Sequence, residues 1–318
     1  MQSSRRYFKE LRFRQLRSLV ALARRGSFSA VAEAFRISVP SVWQQIRALE
    51  EEFGTVLVRR SGKAAALTEQ GELLVELVRP LVEGFDNIRE LFTEQKRLLP
   101  CRITVATTAS LLLHELQRPL AVLRERHPDI ELTFIDRPSV IALKHLENGD
   151  ADIAVLGTMG EQLPSYIHST VLTAYPFVLV CPEGHPLQQA RSIRLPDILK
   201  YPLVMPGEGS NSRLQVQRVL EAAGMWQDAR VAFTASTFDI VAGYVRSGFG
   251  IAVTSVSPLL LAEAEAGSLT YRGIVFRDLS KLFREETVIL AHRHAKIELP
   301  HHRTFREVVI GNFPEAAR

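Results

Sequence analysis

Apolar positions recur at helical spacing from the start of the chain. Leu11, Leu16, Leu19, Val20 and Leu22–Ala23 share one helical face that ends at Gly26. Ser27 is placed to cap a second helix carrying Ala30, Val31, Ala34 and Phe35. Arg36-Ile37 reads as a tight turn. Ser38 then caps a third helix with Pro40 in its first turn, where a missing N–H costs little. Val42, Ile46 and Leu49 form the buried stripe of that helix, and Gly54 ends it. Val56–Arg60 and Ala64–Leu67 read as two short strands around a basic tip, Ser61-Gly62-Lys63.

From Thr68 to about Leu99 the pattern is one long helix. Leu67, Leu74, Leu81 and Ile88 recur every seven residues, with Leu77, Val78, Phe85, Leu91 and Phe92 beside them. Such a repeat, without a core nearby in sequence, calls for a partner helix. Leu74, Leu77, Leu81, Phe85 and Ile88 are the expected dimerisation residues; packing on the chain's own body is the alternative. Pro80 is expected to kink the helix or mark an irregular start.

Beyond Pro100-Cys101, strand and helix patterns alternate, which implies parallel sheets flanked by helices. Strands are expected at 103–107, 130–136, 152–157, 201–205, 231–235, 251–254 and 286–291. Helices are expected at 110–126, 140–148, 212–223, 237–246, 258–266 and 304–310. Segments 171–181 and 269–276 are read as strands crossing between two lobes. The expected organisation is an α/β chain with an N-terminal all-α, winged module over 8–67, a linker helix over 68–99 and a two-lobed α/β domain over 101–318. Lobe I would hold 101–175 and 280–318, and lobe II 176–279.

Composition narrows the field. A chain of 318 residues suggests two or three domains, and 46% hydrophobic with 23% charged residues is too apolar for a disordered one. No secretory leader or bilayer-length apolar run is visible, so a cytoplasmic protein away from membranes is expected. Cys101 and Cys181 stand far apart with no CxxC, so a disulfide framework or cysteine-rich zinc site is not expected. The net charge of +4 is unevenly spread: residues 1–63 hold 13 Lys and Arg against 5 acids, and the remainder is acidic. That imbalance suits one module that meets a polyanion, and a solvated basic surface is the alternative.

Two helices joined by a short turn place the second in a DNA major groove. Its outward positions are Val39, Ser41, Trp43, Gln44, Gln45, Arg47 and Ala48. Glutamines can pair with adenine edges, and Arg47 can reach guanine or phosphate. Trp43 either meets thymine methyls or lies on the linker helix or a subunit interface. Arg59, Arg60 and Lys63 are placed as a wing that grips phosphates.

The run RQLRSLVALARRGSFSAVAEAFRISVPSVWQQIRALEEEFGTVLVRR, followed by LTEQGELL, resembles the DNA-binding module of LysR-type transcriptional regulators. GSFSxxA, SxPxVxxxIxxLE, LxRR and LTxxG occur in order over about 60 residues, and the two-lobed remainder has the family's layout. The resemblance implies a winged helix-turn-helix, a dimerising linker helix and an effector domain like periplasmic binding proteins, with dimers pairing into tetramers. It brings Ser27, Ser38, Val39, Pro40, Ser41, Trp43, Gln44, Gln45, Arg47, Arg59, Arg60 and Lys63 together as the DNA-binding set. The family usually has Gln, Ser and Arg where this chain has Val39, Trp43 and Gln44, so its base preference does not carry over. RNA polymerase is left open as a further partner, and nucleoid association is expected.

A second constellation is Thr107-Thr108-Ala109-Ser110, between the first α/β strand and its helix. Hydroxyls there make a seat for an anion or carboxylate, and open α/β sheets bind ligands at the carboxyl ends of their strands. The matching turns are Arg137-Pro138-Ser139, Gly157-Thr158, Gly209-Ser210-Asn211-Ser212-Arg213 and Ser236-Thr237. Thr107, Thr108, Ser110, Arg137, Ser139, Gly157, Thr158, Ser210, Arg213 and Thr237 are thus the expected effector-binding residues, for a small organic or inorganic anion. The Thr-Thr turn resembles that of the family's sulfur-metabolism branch, whose effectors include small anions. The competing reading is that these hydroxyls only cap helices.

No GxSxG, P-loop, HExxH or GxGxxG stands at a suitable turn, so neither catalytic residues nor an organic cofactor are expected. His292, His294, His301 and His302 lack a third ligand by spacing, so no metal is expected either. The competing functions are an enzyme or solute-binding protein with a borrowed DNA domain, and a nonspecific architectural DNA binder.

Overall fold

The computed structural model describes residues 12–61, 64–95, 101–294 and 298–314. The chain forms two compact units. One comprises Met1–Pro100 with Pro164–His168 and Arg293–Pro300; the other comprises Cys101–Leu163, Ser169–His292 and His301–Arg318. Gly62, Lys63 and the expected helix end at 96–99 lie outside the described residues.

In the first unit α1 (Phe13–Arg25), α2 (Phe28–Phe35) and α3 (Val39–Phe53) precede a hairpin of β1 (Val58–Ser61) and β2 (Ala64–Leu67), then α4 (Glu69–Gln95). The local reasons are in the sequence. Gly26 and Gly54 end α1 and α3 in the left-handed conformation. Ser27 Oγ accepts from the Ala30 N–H at 3.1 Å, and Ser38 Oγ from the Ser41 N–H at 3.3 Å. Arg36, at φ 53°, turns α2 toward α3. Leu19, Leu22, Val31, Val42, Ile46, Leu49 and Leu57 fill the core.

The linker helix α4 is continuous through Pro80. Thr68 starts it: Thr68 Oγ1 accepts from the Gly71 N–H at 3.0 Å and donates to the Val56 carbonyl at 2.7 Å. Gly71 passes directly over the Leu57 carbonyl, and a Cβ there would overlap that oxygen and sit 3.0 Å from its carbon. The LTxxG pattern is thus a cap plus a close approach of two backbones.

The heptad positions split between two faces. Leu74, Val75, Val78 and Val82 are buried in the core of their own unit, so Leu74 is not available for a seam with another helix. Leu73, Leu77, Leu81, Ile88 and Phe92 form an exposed apolar stripe, with Leu77 64% and Leu81 50% accessible. Phe85 is also exposed, its ring centroid 4.1 Å from that of Phe13.

In the second unit, β3 (Cys101–Thr107), β4 (Ile130–Asp136), β5 (Ile153–Thr158), β6 (Ile167–Tyr175) and β12 (Glu286–Arg293) build a sheet ordered β4-β3-β5-β12-β6. Strand β3 is parallel to β4 and β5, whereas β12 is antiparallel to β5. Helices α5 (Ala109–Leu113), α6 (Gln117–Arg126), α7 (Ser139–Asn148) and α12 (Pro300–Asn312) complete this lobe. The single helix expected over 110–126 is broken, because Pro119 fits only the first turn of a new helix.

The second lobe holds β7 (Phe177–Pro182), β8 (Leu203–Pro206), β9 (Val231–Ala235), β10 (Ala252–Ser255) and β11 (Ile274–Asp278), with α8 (Leu195–Ile198), α9 (Asn211–Ala222), α10 (Phe238–Arg246) and α11 (Pro258–Glu265). Strand β7 lies between β10 and β11, antiparallel to both, and β8 pairs parallel with β9. The sheets are therefore mixed rather than purely parallel. Segment 269–276 does not cross between lobes: β11 pairs with β7, and the chain returns to the first sheet between Asp278 and Glu286. Residues 171–181 divide at Pro176 into β6 and β7, which lie in different sheets. Among the described residues no helix is long and apolar enough to cross a membrane.

Candidate functional sites: a ligand cavity and a nucleic-acid interface

The carboxyl ends of β3, β5, β8, β9 and β10 meet around a cavity of about 410 Å³ in the second unit. That is within the range of small-molecule sites. Thr108, Ser110, Arg137, Ser139, Gly157, Ser210 and Thr237 line it. The other expected effector residues do not. Thr107 is fully buried in β3, with no hydrogen-bond partner for its hydroxyl among the described residues. The Thr158 hydroxyl donates to Glu161 at 2.8 Å. Arg213 turns to the Pro206 carbonyl at 3.4 Å and Thr234 at 3.5 Å. Both are one or two residues past a turn, where helix rotation or strand alternation points the side chain elsewhere.

Helices α7, α9 and α10 begin at this cavity, so their unpaired N–H groups and positive dipole ends lie beside it. Three lining hydroxyls are N-caps. Thr108 accepts from the Leu111 N–H at 3.4 Å, Ser210 from Arg213 N–H at 3.3 Å and Thr237 from Ile240 N–H at 3.5 Å. Capping occupies the oxygen as acceptor and leaves each O–H proton to donate. Capping and ligand binding are thus compatible roles for the same hydroxyl. Arg137, exposed, donates to its neighbour's carbonyl, Asp136 O, at 2.6 Å.

Sequence reading missed Glu286 and Ser255, and it placed Asn211 in a matching turn without counting it as an effector residue; all three line the cavity. Glu286 is buried; Asn211 Nδ2 donates to its Oε1 at 2.8 Å, and the Ser255 hydroxyl donates to Oε2. Burial pushes this carboxyl above the ordinary range, while those two donors pull it back. Its signal was parity: Glu286 shares its strand face with Val288 and Leu290, both core residues. Beside the cavity, His114 Nε2 and Asp239 Oδ2 are 3.1 Å apart. The hydrogen bond that His114 donates to Asp239 raises the His114 pKa, and the same bond lowers that of Asp239.

In the first unit Val39, Pro40, Trp43, Gln44 and Arg47 line one shallow groove along α3. Trp43 stacks on Phe28 of α2 with centroids 5.6 Å apart. Gln45 is half-buried, and its Oε1 accepts from the Ser18 hydroxyl, which draws it toward α1. Arg47 pairs with Glu51 at 3.2 Å and is otherwise exposed. The Ser38 and Ser41 hydroxyls are 2.8 Å apart at the amino end of α3. Arg59 is exposed on β1, and Arg60 follows it on the same strand; Lys63 lies outside the described residues.

The same unit buries a charged knot. Arg24 and, at 3.3 Å, Arg293 both bond Glu83 of α4, and Arg79 lies 3.8 Å over the Tyr166 ring. Burial lowers Arg24 to about 10, and burial raises the Glu83 carboxyl against the pull of its arginine partners. Of the histidines, His292 bonds Arg306 at 2.7 Å and His302 faces Asp152 at 4.0 Å.

Residues 13–72 match the family of bacterial regulatory helix-turn-helix proteins, lysR family, and residues 97–314 match the LysR substrate binding domain. The RuBisCO operon transcriptional regulator of Allochromatium vinosum is 29% identical over 309 residues, 96% of each chain. The HTH-type transcriptional regulator cbl of Escherichia coli is 28% identical, over 91% of this chain and 89% of its own. A full-length OxyR variant of Pseudomonas aeruginosa has the same fold, with a TM-score of 0.58 and 22% identity over 96% and 95% of the two chains. The cofactor-binding domain of the Cbl regulator shares the fold of the second unit, with a TM-score of 0.55 and 22% identity over 66% of this chain and 90% of its own. The chain belongs to the LysR family: it is a transcriptional regulator, not an enzyme, that joins a helix-turn-helix module to an effector-binding domain.

Proposed function

We propose that this regulator grips duplex DNA through α3 and the β1–β2 wing, and that a small molecule bearing an acidic group, held in the cavity, tunes that grip. The observation that carries the reading is the convergence of the N-termini of α7, α9 and α10 and of the capping hydroxyls Thr108, Ser210 and Thr237 on one cavity. Together they present donors and positive dipole ends to one ligand group, the chemistry that favours an anion. A ligand regulates only by favouring one protein arrangement over another, and a cavity walled by two lobes offers it that choice.

On the DNA side, Gln44 and Arg47 reach base edges from α3, and Val39, Pro40 and Trp43 supply an apolar wall suited to a thymine methyl. Arg59, Arg60 and Lys63 supply phosphate contacts from the wing. The exposed Leu77, Leu81 and Ile88 stripe pairs two copies through α4, and dimers pair further into tetramers. RNA polymerase is the natural further contact of such an assembly on a promoter.

The test is calorimetry of the full chain with organic acids, sulfate and phosphate, beside footprinting on the region upstream of its own gene. Binding of an acid that changes the footprint is expected. Thr108→Ala should remove that response and leave ligand-free DNA binding intact. Binding only of neutral or cationic compounds would reject the acidic-group reading.

A further inference from the structure

The floor of the cavity has a chemistry opposite to that of its helix-lined walls. Glu286 opens β12 there, and it accepts a hydrogen bond on each oxygen: from Asn211 on one, from Ser255 on the other. The Ser255 hydroxyl is 2.7 Å from that of Ser212, and the Ser212 oxygen accepts from the Thr254 hydroxyl and the Ser255 N–H at 3.1 Å each. A relay of hydroxyls therefore ends on the Glu286 carboxyl and orients it as an acceptor. Gly157 lies flat against it; a Cβ at that position would overlap Oε1 and sit 2.6 Å from Cδ.

A carboxylate offers about four acceptor positions, and here one on each oxygen is taken. Glu286 lines the cavity with that remaining capacity. Asp136 and Glu208 add two more carboxylates to the lining, where Arg137 is the one guanidinium among the described residues. A compact polyanion filling this space would present only acceptors to the acceptors of the floor. A purely apolar group there would leave buried acceptors unanswered, which costs more than a hydrogen bond gains.

We propose that Glu286 selects the effector: the ligand carries, besides its acidic group, a hydrogen-bond donor, hydroxyl or ammonium, that Glu286 accepts at the cavity floor. The class is a small hydroxy acid or amino acid rather than an inorganic anion or a plain dicarboxylate. This rests on the cavity being the effector seat with its acid site at Thr108.

The experiment is calorimetry of the full-length protein with matched compounds: succinate, malate and aspartate; glutarate, 2-hydroxyglutarate and glutamate; and sulfate and phosphate. In the wild type the tightest donor-bearing compound should bind at least about tenfold more tightly than its donor-free partner, since a site built to hydrogen-bond a group rejects the analogue lacking it. Glu286→Gln should shrink that ratio below about threefold, and Thr108→Ala should weaken both partners alike. Equal or tighter binding of the donor-free compound, or of sulfate or phosphate, in the wild type overturns the selection. Discrimination that survives while Thr108→Ala changes nothing overturns the acid seat alone. Binding of none of these compounds at millimolar concentration overturns both. The wild-type pairs decide the question even where Glu286→Gln does not fold.

Discussion

Replacing Gly71 by alanine should destabilise the first unit, against the usual trend for a helical glycine. In an open helix interior, Gly→Ala gains up to about 1 kcal/mol from helix propensity. At Gly71 the new methyl overlaps the Leu57 carbonyl oxygen and sits 3.0 Å from the carbonyl carbon. Both are backbone atoms at the end of the core, so no side chain can swing away. Either α4 lifts from Leu57 or the β1 entry shifts, and both disturb the Thr68 bond to Val56. Overpacking costs about 1–3 kcal/mol, and the rigidity here argues for the upper end. Net of the propensity gain, the loss is about 2 kcal/mol.

Each 1.4 kcal/mol is tenfold, so amides of α1, α3 and α4 should exchange hydrogen roughly 30-fold faster. Hydrogen exchange by mass spectrometry reads this peptide by peptide in the full chain. Gly243 of α10, where an added methyl would meet nothing within 4 Å, is the control. Gly243→Ala should slow exchange in its own helix. A Gly71→Ala protein as protected as the wild type, or more so, would refute the close-approach account.

Leu81→Asp should convert the protein to monomers in light scattering, because a charge in an apolar seam costs several kcal/mol if unpaired; a monomeric wild type would end the idea. Gln44→Ala should cost roughly 1–3 kcal/mol of discrimination between target and random DNA. Gln45→Ala, whose acceptor already serves Ser18, should instead lower thermal stability and weaken both DNAs alike. The His114–Asp239 bond should stabilise the fold by an amount on the order of 1 kcal/mol that depends on pH. His114 is raised in the folded state, so its share is full below the ordinary histidine value of about 6.5 and is lost as pH rises through the raised value. Asp239 is lowered, so its share is lost only as pH falls below the carboxylate range. Tyr271, 3.4 Å from Asp239, is raised by burial and stays neutral over the test range of about pH 5.5–8.5, and burial also raises the neighbouring Glu115 carboxyl, which Asp239→Asn leaves in place. Asp239→Asn should therefore lower the melting temperature more at the acidic end of that range than at the alkaline end; an equal loss at both would show that no proton is involved.

Much of the first unit is legible in residue order, because its determinants are local. Gly26 and Gly54 end helices, Ser27 and Ser38 start them, and the Val42, Ile46 and Leu49 stripe fixes which face of α3 is buried. A run of caps, turns and periodic apolar positions carries its meaning within four or five residues. The strand-to-helix turns of the second unit are legible for the same reason, and with them Thr108, Ser210 and Thr237, whose hydroxyls must meet the N–H groups of the helices they open.

What the sequence could not decide is which way a side chain turns once distant segments pack. Leu74 and Leu81 are both heptad positions, yet the core of α1 and α3 covers one and not the other. Gln45 looks like a base reader until α1 brings Ser18 to it from 27 residues away. Arg213 and Thr158 sit in the right turns and face the wrong way. Glu286 meets Asn211 across 75 residues, a pairing that no spacing rule contains. Helix periodicity and capping are written in contiguous residues, but a cavity is made of the faces that several strands and helices leave uncovered, and only their packing determines which faces those are.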